Sequence, residues 1–182
     1  MEKASIKPVK QKVWAYICKM RGGRCTSLPR LPAGEIIISA LGSFLGIGLV
    51  GILSELYDNK LLLPSFGASA VLLYGACHVP MAQPRHVIGG HLLSACAGVT
   101  VYQIFGNGWW ALALGVTLAI VAMAVTNTLH PPGGATAFVA VYSGQDYGFI
   151  LSPVGIGAFC LIAIALLVNN LSQGRRYPSY WY

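Results

Sequence analysis

The sequence predicts an all-α polytopic membrane protein with four full transmembrane helices and two short, broken half-helices, set in a two-fold internal repeat. Three observations predict it. The 182 residues are 55% hydrophobic and only 9% charged, with a mean hydropathy of +0.65; a soluble domain carries about 25% charged residues. Long apolar stretches alternate with short ones that open on prolines and glycines. One short motif, Pro-x-x-Gly-Ala-[Ser/Thr]-Ala, occurs at Pro64–Ala70 and again at Pro131–Ala137.

Residues 1–32 form a basic segment before the first span. Lys3, Lys7, Lys10, Lys12, Lys19, Arg21, Arg24 and Arg30 are eight of the twelve basic residues, so the net charge of +7 is a topology signal and not a nucleic-acid footprint. Val9, Val13, Tyr16, Ile17 and Met20 fall at helical spacing, as in an amphipathic helix on a membrane surface. The leader lacks the serine-rich character of a transit peptide.

The membrane domain covers 33–172, as repeat 1 (33–107) and repeat 2 (108–172), and 173–182 form a cytoplasmic tail. Ile36–Ser54 is long enough to cross about 30 Å of hydrocarbon as a helix. Gly42 and Gly46 stand four apart in it, a spacing that admits a close neighbour. Tyr57–Lys60 reads as a polar loop. Pro64 opens a segment apolar only to about Cys77, too short to span. His78–His86 holds Pro80 and Pro84 and reads as extended chain. Val87–Phe105 is a second full span, with Gly90, Ser94 and Gly98 on one face. Trp109–Leu129 is the third. Pro131 and Pro132 then break the helix, because proline removes a backbone donor. Gly134 to about Tyr142 is the second short segment, Asp146–Tyr147 a polar break, and Gly148–Val168 the fourth span.

Each copy therefore reads long–short–long. Repeats with interrupted segments at corresponding positions point to a transporter site. If the short segments cross, each repeat has three crossings and the copies are inverted; if they re-enter, the copies are parallel. The inverted model alone puts Arg85 with both termini in the cytoplasm, and it is the arrangement expected here.

Backbone polar groups freed at the breaks need protein or water, not lipid. Helix N-termini carry partial positive charge and favour anions. The expected binding residues are Ser65, Phe66, Gly67, Ala68 and Ser69 from the first short segment. Gly133, Gly134, Ala135 and Thr136 are their counterparts in the second. Asn127 and His130 precede the second break, and Gln83 and Arg85 flank the first. Pro64, Pro84, Pro131 and Pro132 are structural. Arg85 is the only basic residue between Lys60 and Arg175 and is read as a counter-charge or entry lure. Among His78, His86, His91 and His130, His130 is the one expected to act, as a donor or pH-sensitive gate. The five cysteines, Cys18, Cys25, Cys77, Cys96 and Cys160, form no Cys-x-x-Cys pair and read as packing residues. No metal site, cofactor site or catalytic set appears, so no enzyme is expected.

Leu129–His130–Pro131–Pro132–Gly133–Gly134–Ala135–Thr136–Ala137 resembles the signature of the HPP family of integral membrane proteins. Phe66–Gly75 and Ala82–His91 are similar to its other shared region, with His86 where asparagine is expected. The resemblance covers roughly residues 33 to 172. It implies four membrane-spanning helices, and, from members in chloroplasts and cyanobacteria, nitrite transport. The expectation is a transporter or channel for a small inorganic anion, nitrite first. Its partners are that anion, the lipid bilayer and, from its small-residue faces, further copies of itself. A bacterial plasma membrane with both termini cytoplasmic is the expected location. The rivals are a cation or metal permease built on the histidines, and a non-transporting membrane scaffold.

Overall fold

A computed structural model describes residues 9–20, 31–56 and 61–181. Expectations for Lys3, Lys7, Arg21, Arg24, Arg30, Cys25 and the Tyr57–Lys60 loop lie outside the described residues. Helices are the only regular secondary structure among the described residues, with no strand among them. Met1–Leu31 and Pro32–Tyr182 form two separate compact units. The first holds α1, Val9–Lys19, where the periodicity predicts a helix. Its Trp14, Tyr16, Ile17 and Met20 are exposed.

Among the described residues the second unit contains six α-helices. They are α2 (Ala33–Leu56), α3 (Pro64–Ala70), α4 (Pro84–Phe105), α5 (Trp109–Val125), α6 (Pro132–Tyr142) and α7 (Ile156–Asn169). Three stretches are long and apolar enough to cross a membrane: Ala33–Leu56, Pro84–Phe105 and Ile150–Asn169. Trp109–Leu129, expected as a full span, is corrected to the 17 helical residues of α5, about 25 Å of rise. The helix stops early because Asn127 takes a left-handed φ of 54°. Thr128 N–H then bonds back to the Met123 carbonyl at 2.9 Å, as at a left-handed helix C-terminus.

Three further expectations shift. The first short segment winds on from α3 as a wider turn over Val71–Gly75. The chain from His78 to His86 is not extended throughout: Pro80–Ala82 form a tight turn and α4 already begins at Pro84, a residue suited to a helix's first position. The last span is interrupted, with non-helical Ser152 (φ −133°, ψ 121°) inside Ile150–Gly155, where Pro153 has no N–H to continue the ladder.

Glycines set the packing. The Gly42–Gly46 face of α2 receives the ring of Tyr74, and a Cβ on Gly42 would lie 2.6 Å from it. A Cβ on Gly98 would fall 2.6 Å from the Ala137 carbonyl oxygen, and one on Gly133 2.9 Å from that of Gly90, so α4 and α6 touch backbone to backbone. Phe66 lies against Gly157 of α7. The first helix of each sequence repeat packs on the third of the other, α2 on α7 and α5 on α4. The short helices α3 and α6 meet between these pairs.

Candidate functional site

The site lies where α3, α4 and α6 meet. Pro64 starts α3 and puts Ser65 and Ser69 four residues apart, hence on one face. Ser69 Oγ reaches the Ser65 carbonyl at 3.1 Å, and two imidazoles: His91 Nε2 at 2.8 Å and His130 Nε2 at 2.9 Å. His91 Nδ1 lies 2.8 Å from Thr136 Oγ1, which donates to Ser65 Oγ at 2.9 Å. His130 Nδ1 lies 2.8 Å from the Met81 carbonyl. The His91 and His130 rings are edge to face, 4.9 Å apart, and Phe66 closes the far side of His91 at 5.4 Å. All five polar side chains, Ser65, Ser69, His91, His130 and Thr136, are at most 1% exposed.

The sequence explains this convergence. Gly90 lets His130 approach, since a Cβ there would lie 2.5 Å from His130 Cβ. Gly133 has the same role against Ser94. Pro131 and Pro132 end the approach to the break, and His130, two residues before α6 begins at Pro132, turns inward.

Ser65, Phe66, Ser69, His130 and Thr136 are thus brought together as expected residues of one site. The others lie elsewhere. Gly67, Ala68 and Ala135 are on exposed faces of their helices, and Gly134 is half-buried. Gly133 serves the helix crossing. Asn127 is the left-handed residue ending α5. Gln83 is fully buried but clips the loop before α4, donating to the carbonyls of Cys77 (2.8 Å) and Val79 (3.2 Å) and accepting from Ser179 N–H at 2.7 Å. Arg85 is exposed and donates to the Thr126 carbonyl at 3.1 Å, capping the negative end of α5. The backbone donors expected to face an anion are partly engaged: Phe66, Gly133 and Gly134 N–H bond to Leu63, His130 and Pro131 carbonyls. The hydroxyls and imidazoles of the cluster are likewise engaged, with one another and with the Ser65 and Met81 carbonyls.

Sequence reasoning missed His91. Its signal is a histidine inside an uncharged span, next to Gly90, where an intramembrane polar residue needs a partner. It also missed how α3 is closed. Arg175 donates to the Tyr74 carbonyl at 2.6 Å and to Asn169 Oδ1 at 2.9 Å. It also donates to the Glu35 carbonyl at 2.8 Å and Ser39 Oγ at 2.9 Å, and pairs with the Glu35 carboxylate. Asn169 donates to the Leu73 carbonyl at 2.9 Å. The tail continues past this clamp: the Tyr177 hydroxyl donates to the Ala82 carbonyl at 2.8 Å, one residue from the carbonyl that holds His130. Among the described residues no three His, Cys, Asp or Glu side chains gather to hold a metal.

A cavity of about 690 Å³ opens at the other end, lined by Leu63, Pro64, Tyr142, Asp146, Phe149 and Pro153 among others. Pro64 borders it, and the next residue is Ser65 of the buried cluster.

A helix-built unit with long apolar helices, few charged residues and a buried polar centre defines a polytopic membrane protein. The family model for the HPP transmembrane region matches residues 28–178, and the chain belongs to that family. A transmembrane protein of Dictyostelium discoideum is 39% identical over 179 residues, covering 92% of this chain and 57% of the relative. A second from the same organism is 38% identical over 187 residues, covering 96% and 66%. The chain thus spans less than two thirds of the length of the curated relatives it matches. No solved structure matches it.

Proposed function

We propose that this chain is a permease for a small inorganic anion, nitrite first, and that the anion binds at the Ser65–Ser69–His91–His130–Thr136 cluster. The observation that carries the reading is that cluster itself: five wholly buried polar side chains at the crossing of two short helices. Polar groups at such depth are costly, and mark substrate or proton pathways. Three hydroxyls and two imidazoles offer donors to an anion and no carboxylate to repel it. The cavity bordered by Pro64, one residue before Ser65, would be the approach from one side once the intervening packing opens.

The arrangement of ends favours six crossings in two inverted copies. Arg175 joins the start of α2, the end of the α3 segment and the residues after α7. Arg85, at the start of α4, bonds the end of α5. Pro64 and Tyr142, at the start of α3 and the end of α6, share the cavity beside Asp146. Gly90 and Gly157, each against the short helix of one repeat, are separated by the same 67 residues as Pro64 and Pro131. α5 then serves as the fourth span with its flanking turns. Arg85, Arg175 and Arg176 mark the cytoplasmic end, with both termini.

The test is nitrite influx into proteoliposomes in alkaline buffer, where little free nitrous acid leaks through lipid. Thr136→Val and Ser69→Ala abolish protein-dependent influx, whereas Arg85→Gln retains most of it. Influx no faster than in protein-free vesicles, or unchanged in both cluster variants, refutes the reading.

A further inference from the structure

We propose that the cluster takes up a proton together with its anion, held on the Nε2 atoms that His91 and His130 direct at Ser69, so that a neutral anion–proton pair is what the site carries. The inference rests on the anion reading above and deepens it.

Charge is the first argument. An anion in a desolvated site needs a compensating positive charge. The described charged residues of the membrane unit are all committed or distant. Glu35 and Arg175 pair with each other, Arg85 is exposed on the Thr126 carbonyl, and Glu55, Asp146 and Arg176 are exposed. Around the imidazoles, α3 presents Ser65, Phe66 and Ser69, and α6 presents Thr136. α5 contributes Met123, which meets Ser94, and no ionisable group. On α4, His86 is the nearest other titratable side chain and bonds the Leu129 carbonyl and the Tyr180 hydroxyl. On the α7 side, the Tyr74 phenol is directed to the Leu161 carbonyl. The compensating charge therefore has to come from His91 or His130.

Proton counting locates it. A carbonyl only accepts, so His130 carries a proton on Nδ1, facing Met81. Thr136 donates to Ser65, so it accepts from His91 Nδ1. Each neutral imidazole then has its single proton on Nδ1 and a bare Nε2. Both bare nitrogens face Ser69 Oγ, at 2.8 and 2.9 Å. Ser69 has one hydroxyl proton for these two nitrogens and for the Ser65 carbonyl 3.1 Å away, so the set is at least one proton short. A proton on either Nε2 completes it once the Ser69 hydroxyl turns from that carbonyl: the protonated nitrogen donates to Ser69, and Ser69 donates to the other. With the proton gone, the neutral set is completed only by turning round the hydroxyls of Ser65, Thr136 and Ser69. The two states differ by one proton and by the sense of a hydrogen-bonded chain. Only N–H and O–H bonds change, and the proton comes from water.

The experiment is calorimetric titration of sodium nitrite into the purified full chain in detergent, in two buffers of different ionisation enthalpy above the usual histidine range. The expected result is uptake of about one proton per anion bound, with affinity falling about tenfold per pH unit. Binding with no linked proton overturns this inference and leaves the anion reading standing. No binding of nitrite in either buffer overturns the anion reading, and this inference with it. His130→Gln and His91→Gln, accepted only where thermal unfolding shows a folded protein, bind without proton uptake or not at all; a folded variant that still takes up the full proton removes that histidine from the role.

Discussion

Gly90→Ala tests the geometry of the cluster without touching a polar group. The new Cβ would lie 2.5 Å from His130 Cβ and 3.1 Å from the Thr128 carbonyl oxygen, against 3.4–4 Å for ordinary contact. Relief requires His130 to retreat by about 1 Å. Its bonds to Ser69 and Met81, now 2.9 and 2.8 Å, would then exceed the roughly 3.5 Å beyond which a hydrogen bond is lost. Overpacking costs about 1–3 kcal/mol, and interhelical hydrogen bonds in membranes average about 0.6 kcal/mol each. Alanine returns about 0.5–1 kcal/mol over glycine in a helix. The expected net loss is about 1–4 kcal/mol, at about 2–4 °C in unfolding midpoint per kcal/mol, with loss of nitrite influx. Gly67→Ala is the matched control, because nothing lies within 4 Å of a Cβ there. It keeps or raises the midpoint and keeps influx. A Gly90→Ala protein with the parent's midpoint and influx refutes the argument that close approach at this glycine positions His130.

Two further predictions concern the ends of the molecule. Burial pushes the Tyr177 phenol above its ordinary value; the neutral form is favoured when folded, so stability holds below the usual phenol range of about pH 10 and falls as the pH rises through it. Alkaline melting curves of Tyr177→Phe, which has no such proton to lose, should fall less steeply than the parent's; equal slopes refute the assignment. For topology, single-cysteine variants Arg85→Cys, Asp146→Cys and Arg176→Cys in sealed cells should react with impermeant maleimide only at 146; labelling at 85, which re-entrant short segments would leave outside, or at 176 refutes the inverted arrangement.

Much of the helix plan is legible because hydrophobic length and proline placement are local properties. Pro64, Pro84 and Pro132 each stand at the first position of a helix, and the shared Pro-x-x-Gly-Ala-[Ser/Thr]-Ala motif finds both short helices. The ends are less legible. Asn127 stops α5 through a backbone conformation, and no hydropathy pattern records it. In the site, Ser69 and Thr136 follow from the motif, while Gly67 and Gly134 stand on other faces of the same turns; spacing identifies the helix but not which face another helix will cover. His91 was hidden because a lone histidine in a span is informative only when its partner is known, and that partner, Ser69, is 22 residues away. Arg85 drew attention as an isolated charge, yet a helix C-terminus within reach satisfies it. Arg175, near the end of the chain, instead holds α3.

That last exchange of roles bears on what fixes the half-helix. A short helix inside a membrane domain ends with carbonyls that lipid cannot satisfy, and the segment begun by α3 ends this way at Leu73 and Tyr74, in its wider turn Val71–Gly75. Asn169, Ser39 and Arg175 supply the donors, and the guanidinium also complements the negative end of the helix. Whether charge or geometry matters can be separated. Lysine keeps the charge but not the planar fork that reaches Tyr74, Asn169, Ser39 and Glu35 together. If the fork positions α3, Arg175→Lys and Arg175→Gln should both lower the unfolding midpoint and nitrite influx to a similar degree, because Ser65 and Ser69 ride on that helix. If charge alone is required, lysine should restore both measurements while glutamine does not. Full rescue by lysine would therefore overturn the view that Arg175 acts on the site by fixing the end of α3.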